Sequence, residues 1–589
     1  MDLHPINALA SNEERAAVDA VLGPSNGDPT IPAAEAKARR TFLLPALLSL
    51  QTRIGFVSEG AMGYACRRLG VPPAEGFAVA SFYALIALGE RPAAFAHVCD
   101  DIACAAAGAE KLCDELEQRV GAPAHLHHRA EAPKKLQHSA RWARSPCLGL
   151  CEQAPAAMVS IARAQPHEQS FGDATAEKIE KALNGETIAR PALHLDSKGP
   201  RKLLARNGHL DLDGYRAAGG YQALRKALEL GPEAVTREVT DSKLVGRGGA
   251  AFPTGRKWDA VAKAPQRPHY VVCNADESEP GTFKDRVLLE GDPFSVIEGL
   301  TLAGFATQSS KGFIYLRGEY PLAAERLHHA LEQARAKGLL GKNILGKGFD
   351  FDIELRRGGG AYICGEETAL FASIEGYRGE PRSKPPFPVQ SGLFQKPTAI
   401  NNVETLVAAI DIVRDGAQAY GAGTKLFCIS GKIRKPGVYE VPFGMKLDEL
   451  IALAGGTEKP IRAILMGGAA GTFIGPEQLG MTLSFEGAKA AGTTLGSGVV
   501  FVLDETVELA PLLRRIAAFF RDESCGQCVP CRVGTVRQEE LLHRLAKGAT
   551  DKPKELALLR DLGKAMRDAS ICGLGQTAST AIESATRFL

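Results

Sequence analysis

Three groups of residues in this chain carry chemistry in their types and spacing. The first runs from Gly246 to Arg286, GRGGAAFPTGRKW and then, after an ordinary stretch, CNADESEPGTFKDR. Glycines let backbone N–H groups approach a phosphate, Lys257 adds positive charge, and Asn274, Asp276, Glu277, Ser278 and Glu279 supply hydrogen-bonding side chains. That combination builds a ligand pocket. The second group pairs Cys99 with Cys104 and Cys147 with Cys151, a C-x4-C and a C-x3-C on two short loops. Four such thiolates can hold a two-iron cluster, two to each iron; zinc, which more often takes C-x2-C knuckles, is the alternative. The third is Cys525-Gly-Gln-Cys528-Val-Pro-Cys531, three thiolates on one loop. This spacing grips a cubane and leaves a fourth ligand to be found, for which Cys572 is the only downstream cysteine; zinc is again the runner-up.

A glycine-rich loop alone is weak support for a nucleotide. The dinucleotide fingerprint needs a buried strand and a G-x-G-x-x-G turn, whereas here TREVTDSKLV precedes the loop, the spacing after Gly248 is wrong and Pro253 follows. An ordinary Rossmann turn is disfavoured. Three further stretches have compatible chemistry. Val271-Val-Cys273 reads as a strand that delivers Asn274 to Glu279 at its end, where α/β sheets place ligand groups. Gly358–Leu370 couples glycines to Glu366 and Glu367, which otherwise suit a helix N-terminus. Arg382–Thr405 sets Lys384, Phe387, Asn401 and Asn402 in a proline-stiffened loop.

These groups need several domains to position them. At 589 residues the chain is too long for one core. Lys plus Arg (70) nearly balance Asp plus Glu (68), so there is no overall footprint for nucleic acid or an anionic membrane. Neither Phe42–Leu50 nor Phe77–Leu88 reaches the roughly 20 apolar residues of a membrane helix, and no secretory signal opens the chain. The expectation is a cytoplasmic protein without membrane insertion. Clusters among its 13 cysteines then favour metal ligation over disulfides.

Ser11-Asn-Glu-Glu14 reads as a capping box, with helices following to about Leu88 and Pro72-Pro73 opening an apolar one. A strand at Ala94–Val98 leads into Cys99, a helix continues to about Val120, and an alternating segment around Gln137–Arg144 leads into Cys147. One more helix is expected at Thr175–Asn184, in a stretch from about 166 to 206 that reads as a connector. Lys425–Gly456 gives two strands around Lys435-Pro436-Gly437 and a short helix, with Cys428 as core, and the chain turns helical after Glu505.

Residues from about 45 to 183, with VPPAEGFAVASFYALI, VCDDIAC and SPCLGLCEQAP, resemble the thioredoxin-like [2Fe–2S] subunit (24 kDa type) of NADH:quinone oxidoreductases. The resemblance implies Cys99, Cys104, Cys147 and Cys151 as ligands and leaves Cys66 and Cys113 as small buried hydrophobes. Residues from about 207 to 589 resemble the flavin subunit (51 kDa type), which binds FMN with NAD(H) above it. By that likeness Gly246, Arg247, Gly248 and Lys257 face the flavin phosphate and neighbouring groups. Asn274, Asp276, Glu277, Tyr362, Gly365, Glu366, Asn401 and Asn402 line the flavin site. Phe252, Glu279, Glu367, Lys384 and Phe387 meet the dinucleotide, and Cys525, Cys528, Cys531 and Cys572 hold a [4Fe–4S] cluster. Asp259-Ala260 stands where relatives can carry another aromatic residue, which thins one wall of the adenine site. Cys273 and Cys364 read as buried strand residues. Hydride transfer from nicotinamide to flavin needs geometry and electrostatics, so no catalytic acid or base is named.

The implied fold is multidomain α/β. It has an N-terminal helical region (1–90), a thioredoxin-like [2Fe–2S] domain (91–190), a linker and helical lead-in (191–240), and a non-standard Rossmann-like FMN/NAD(H) domain (241–422). A ubiquitin-like β-grasp domain (423–504) and a C-terminal helical bundle with the [4Fe–4S] cluster (505–589) complete it. Fusion of the two parts resembles the diaphorase subunit of cytoplasmic NAD-reducing [NiFe] hydrogenases. The implied partners are an iron–sulfur electron-transfer subunit and a [NiFe] hydrogenase module, with no nucleic acid. A fused NADH-dehydrogenase module of a respiratory complex or of a formate dehydrogenase, and a non-catalytic scaffold with two zinc sites, are the alternatives.

Overall fold

The computed structural model describes residues 8–24, 33–124, 140–548 and 551–588. Its first helix, Asn12–Leu22, starts at the expected capping box: Ser11 Oγ accepts from Glu14 N at 3.1 Å, and Glu14 Oε2 accepts from Ser11 N at 2.7 Å. Helices Leu43–Ile54 and Glu59–Leu69 pack beside it and bury Leu44, Leu47, Leu50 and Cys66. The apolar run to Leu88 does not stay helical. Its helix covers Pro73–Ala80, and the chain then turns to pair with a glycine loop more than 270 residues away. Leu85 N donates to Gly359 O at 2.9 Å, Tyr83 Oη donates to Ser373 Oγ at 2.6 Å, and a Cβ on Gly359 would lie 2.7 Å from the Tyr83 side chain. The apolar residues are buried against another domain, so their hydrophobicity carried no helical period. Among the described residues no helix is long and apolar enough to cross a membrane.

The first sheet holds β1 (Ala94–Cys99), β2 (Trp142–Ser145), β3 (Ala157–Ile161) and β4 (His167–Phe171) in the order β2-β1-β3-β4. Residues 137–139 of the expected alternating segment lie outside the described residues. β1 and β2 run parallel with Cys99 opposite Ser145, so both strands end at the same edge. That pairing brings Cys99 and Cys147 together across 48 residues of sequence.

The expected connector from about 166 to 206 is not a free linker: it opens with β4 (His167–Phe171), already part of the first sheet, and it contributes β5 (Leu195–Ser197) to the third sheet. The second sheet is all parallel: β6 (Tyr270–Ala275), β7 (Lys311–Leu316), β8 (Asp352–Arg357) and β9 (Thr398–Asn402), ordered β8-β7-β6-β9. Helix Pro293–Ala306 is buried almost throughout, as expected for a helix between a sheet and other helices. The chain leaves β6 between two parallel neighbours, the position at which open α/β sheets leave a ligand crevice.

The third sheet carries β10 (Thr424–Gly431), β11 (Gly437–Pro442), β12 (Ile461–Met466), β13 (Thr472–Ile474) and β14 (Val499–Asp504), ordered β13-β12-β14-β10-β11-β5. Glu440 of β11 accepts the N–H groups of Lys202, Leu203 and Leu204 at 2.9, 2.9 and 3.0 Å, which straps the connector down. Helices Leu509–Glu523, Val529–Ala546 and Lys552–Ala569 and the short turns after them form the C-terminal bundle.

Candidate functional site

The C-terminal ends of β6 and β9 and the glycine loop enclose a cavity of about 440 Å³. The loop closes on itself through Gly246 N, which donates to Phe252 O at 2.9 Å. Gly249 has φ +117°, and a Cβ on Gly248 would sit 3.2 Å from Asn402 Cβ, so glycine is required where the loop crosses β9. Gly248, Asn274, Asp276, Glu277, Glu279, Tyr362, Gly365, Glu366 and Asn402 all line the cavity.

Several of these side chains are already committed. Asn274 Nδ2 donates to Gly365 O at 2.8 Å, which ties the β6 end to the second glycine loop. Glu277 accepts from Asp285 N and Arg286 N at 2.8 and 2.9 Å and caps helix Lys284–Gly291; burial, then the Asp285 carboxylate, push its carboxyl up to about 8. Asn402 Nδ2 donates to Asp285 Oδ2 at 2.6 Å, while its Oδ1 accepts from Lys284 Nζ at 3.2 Å. Lys284 is fully buried but paired with Asp285 at 2.6 Å and Glu404 at 3.0 Å; those carboxylates outweigh burial and hold the ammonium charged. Asp276 is different. Its Oδ2 is buried with no hydrogen-bond partner, and burial, then Glu319, hold the carboxyl well above the usual range. A ligand with an N–H at this position would meet that orphaned oxygen, and a flavin ring carries one.

Four expected contacts sit behind the cavity wall. The Arg247 guanidinium is turned away, 3.3 Å from Tyr420 Oη and 4.4 Å over the Phe443 ring, which corrects the expectation that it faces a phosphate. Its backbone N–H is taken by Thr405 Oγ1 at 2.9 Å, so the side chain leaves the loop toward the third sheet. Gly246 serves the loop hairpin. Lys257 Nζ donates to Ile400 O at 2.7 Å, and Asn401 Oδ1 accepts from Trp258 Nε1 at 2.9 Å. Outside the cavity, Phe252 and Phe387 are about half exposed (50% and 53%). Lys384 Nζ bonds Glu366 Oε1 at 2.8 Å and Glu367 Oε1 at 2.6 Å; of the expected dinucleotide residues Glu279 lines the cavity, whereas Phe252, Glu367, Lys384 and Phe387 do not. Asp259 pairs with Lys263 at 2.9 Å, and the Asp259-Ala260 position contributes no ring.

Two walls were missed. Gly467, Ala470, Thr494, Gly496 and Ser497 of the β-grasp domain, and Gly573, Leu574 and Thr577 of the C-terminal bundle, also line the cavity. The paired glycines Gly467-Gly468 and Gly496-x-Gly498 are the one signal that could have pointed to the first. Glu279 is held there, with Oε1 accepting from Ala470 N at 2.7 Å and Oε2 accepting from Tyr362 Oη.

The eight proposed ligand cysteines fall into two groups. Cys147 Sγ lies 3.3 Å from Cys151 Sγ, and Cys99 is pushed up by hydrogen bonding to Cys104 and then to Cys147, so the four sulfurs form one chain of neighbours. All four are buried. In the C-terminal bundle Cys531 is pushed up to about 12, first by burial, with Cys528, Cys572 and Cys525 adding to it. Cys572 is pushed up to about 11 by burial, against the N–H groups of Leu574 and Gly575. Among the described residues no three His, Cys, Asp or Glu side chains converge on the position of a single metal ion. Seven of the eight are buried and Cys528 is half-buried; two sets of four soft thiols suit clusters whose ligands are spread over several irons. Cys66, Cys113, Cys273, Cys364 and Cys428 are buried as expected, but Cys364 lies in the 3-10 turn Tyr362–Gly365 and not in a strand. Cys428 Sγ also accepts from Phe283 N at 3.2 Å, across the junction of the second and third sheets.

Each cysteine group adjoins residues that line the cavity. Gly573 and Leu574, which line it, directly follow Cys572. At the N-terminal group Arg286 Nε donates to Gly149 O at 2.8 Å, and Arg317 bridges Cys147 O and Glu277 O. Gly149 has φ +70°, and a Cβ there would lie 2.2 Å from Tyr320 Oη, which itself donates to Glu277 Oε2 at 3.1 Å.

A parallel sheet with a ligand crevice, flanked by two tetracysteine sites, defines a flavin and iron–sulfur oxidoreductase subunit that works with NAD(H). Family models match in the same places: the Nuo51 FMN-binding domain at 239–411, the thioredoxin-like [2Fe-2S] ferredoxin at 31–186, the SLBB domain at 426–463, and the NADH-ubiquinone oxidoreductase-F iron-sulfur binding region at 511–588. The chain belongs to the family of NADH-quinone oxidoreductase F subunits. It is 44% identical over 392 residues to the NADH-quinone oxidoreductase F 2 subunit of Rhizobium meliloti (strain 1021), covering 65% of this chain and 93% of that one. It is 45% identical over 378 residues to the NADP-reducing hydrogenase subunit HndC of Solidesulfovibrio fructosivorans, covering 62% and 76%. A solved chain of an NAD+-reducing [NiFe]-hydrogenase in the H2-reduced state superposes with a TM-score of 0.79 at 30% identity, covering 93% of this chain and 91% of its own length.

Proposed function

We propose that this chain is the diaphorase subunit of a cytoplasmic complex coupling H2 oxidation to NAD+ reduction. One observation carries the reading. The hydrogenase chain matches across 93% of this one, both cysteine domains included, whereas the Rhizobium meliloti relative matches about two thirds of it. FMN, when bound, supplies the exchange between hydride pairs and single electrons. Gly248, Asn274, Asp276, Gly365 and Asn402 fit its floor by lining the cavity with glycine backbone, two amides held in place by hydrogen bonds, and one orphaned acceptor. Phe252, Phe387, Lys384, Glu367 and Glu279 hold the dinucleotide. Their part is to orient the nicotinamide and keep its ring close, since no proton moves at the reacting carbon.

Electrons leave through Cys525, Cys528, Cys531 and Cys572 to a partner iron–sulfur subunit. Val529, Val533 and Ile571 are exposed beside the half-buried Cys528 and supply an apolar surface on which that partner docks. The site of Cys99, Cys104, Cys147 and Cys151 stands on the other side as a side store or second branch. The test is the native complex purified from its source and given NAD+ with H2 or with formate. H2-dependent NADH formation is expected; formate-driven reduction, or turnover only from NADH toward a quinone, would replace this reading with the formate dehydrogenase or the respiratory one.

A further inference from the structure

The proposed function gives no residue of the β-grasp domain a role, yet two loops of that domain close the cavity. The turn after β12, Gly467–Gly471, and the segment Thr494–Ser497 ahead of β14 face the glycine loop. A Cβ on Gly249 would lie 3.7 Å from the Gly496 carbonyl carbon, so the backbones of two domains nearly touch there. The hydroxyls of Thr472 and Thr493 hydrogen-bond and tie the two β-grasp loops together, and Thr282 Oγ1 lies 2.8 Å from Ser497 Oγ.

The strongest contact is with Glu279. Ala470 N–H donates to one carboxylate oxygen at 2.7 Å, and the Tyr362 hydroxyl donates to the other. Gly468 has φ +85°, and a Cβ there would stand 2.5 Å from Glu279 Cγ, closer than any side chain allows. Two donors on two oxygens leave the carboxylate one orientation and still leave lone pairs for a ligand hydroxyl.

We propose that the Gly467–Gly471 loop is a positioning element of the dinucleotide site, holding the Glu279 carboxylate through the Ala470 amide where it meets the ribose hydroxyls of NAD(H). The proposal rests on the reading of Glu279 as a dinucleotide contact. Tyr362 holds the same carboxylate from the second glycine loop, and Asp101 and Cys147 across the domain junction are the like charges that reach it. Burial raises the Glu279 carboxyl to about 7 against the Tyr362 and Ala470 bonds. Loss of the amide leaves burial less opposed and moves the carboxyl further up.

The experiment uses the native complex with Glu279→Gln, Ala470→Pro, Gly468→Ala and the mild Thr472→Val, measuring NADH oxidation by a one-electron dye together with FMN and iron content. Ala470→Pro and Gly468→Ala are expected to raise KM for NADH about tenfold with kcat little changed, full FMN and iron, and the acid limb of kcat/KM moved to higher pH. That limb disappears in Glu279→Gln. If Glu279→Gln raises KM while the loop variants keep both KM and the acid limb of wild type, the positioning role is wrong and the Glu279 reading survives. If Glu279→Gln leaves KM unchanged, the underlying reading fails and takes this one with it. Should neither main loop variant hold FMN, Thr472→Val decides by the same KM and pH readouts.

Discussion

Asp276 and Asn401 were paired in the sequence as flavin-lining residues, and the structure separates them. Asp276 lines the cavity and carries a buried oxygen without a partner, while Asn401 spends its carbonyl oxygen on Trp258 Nε1. Losing a hydrogen bond to a buried carboxyl costs about 1–3 kcal/mol. Asp276→Ala is therefore expected to weaken FMN binding about 10- to 100-fold, read by the fluorescence of released flavin, with thermal stability near wild type. Asn401→Ala is expected to show the reverse ranking. Glu367 shares Lys384 with Glu366, and the proposed function sets it beside the dinucleotide. A carboxylate beside the adenosine ribose repels a 2′-phosphate, so Glu367→Gln should raise NADPH turnover about tenfold relative to NADH, equivalent to about 1.4 kcal/mol. NADPH turnover as poor as before would remove Glu367 from that position.

At the level of elements, spacing was legible and partnership was not. The C-x4-C, C-x3-C and C-x2-C-x2-C runs announced two thiol sets, and Ser11–Glu14 announced its helix, because each is a local pattern with a local cause. The strand that carries Asn274 was legible for the same reason. The β-grasp wall, the turn at Ser81 and β5 depend on pairings between distant segments, which leave no period in the sequence. Arg247 misled because its loop is the expected one while its side chain follows Tyr420 and Phe443 into a neighbouring domain. Gly149 shows how closely distant elements meet. Gly149→Ala places a Cβ against Tyr320 Oη at a left-handed backbone position, a cost of about 1–3 kcal/mol at that junction. The expected result is a changed or lost [2Fe–2S] electron paramagnetic resonance signal, with the FMN and [4Fe–4S] signals retained.

Across the whole molecule the cavity is shared property. The FMN-binding domain supplies the floor, the β-grasp domain one wall, and the residues after Cys572 another. Any loss at the C-terminal cysteines should therefore be felt by the flavin. Cys572→Ser is expected to lower iron content by the [4Fe–4S] share and to weaken FMN binding about tenfold, with the [2Fe–2S] signal unchanged; flavin titration and iron analysis on the same sample check both. Unchanged flavin affinity would mean that Gly573 and Leu574 keep their places without the cluster. Arg286 with Glu152 and Arg515 with Asp100 pin the thioredoxin-like domain to helix Lys284–Gly291 and to the C-terminal bundle respectively.

The strand Leu195–Ser197 bears on anyone wishing to divide this polypeptide into two genes. It covers the outer edge of β11, and His194 O already accepts from Val438 N at 3.1 Å. On the other side Ile188 N is bound to Gln169 Oε1 at 2.8 Å, so the thioredoxin-like part reaches at least that far. A new terminus placed between residues 188 and 194 leaves each product with its own strands. One placed after Ser197 would send the flavin-binding product into the cell with a bare sheet edge, open to pairing with its own copies.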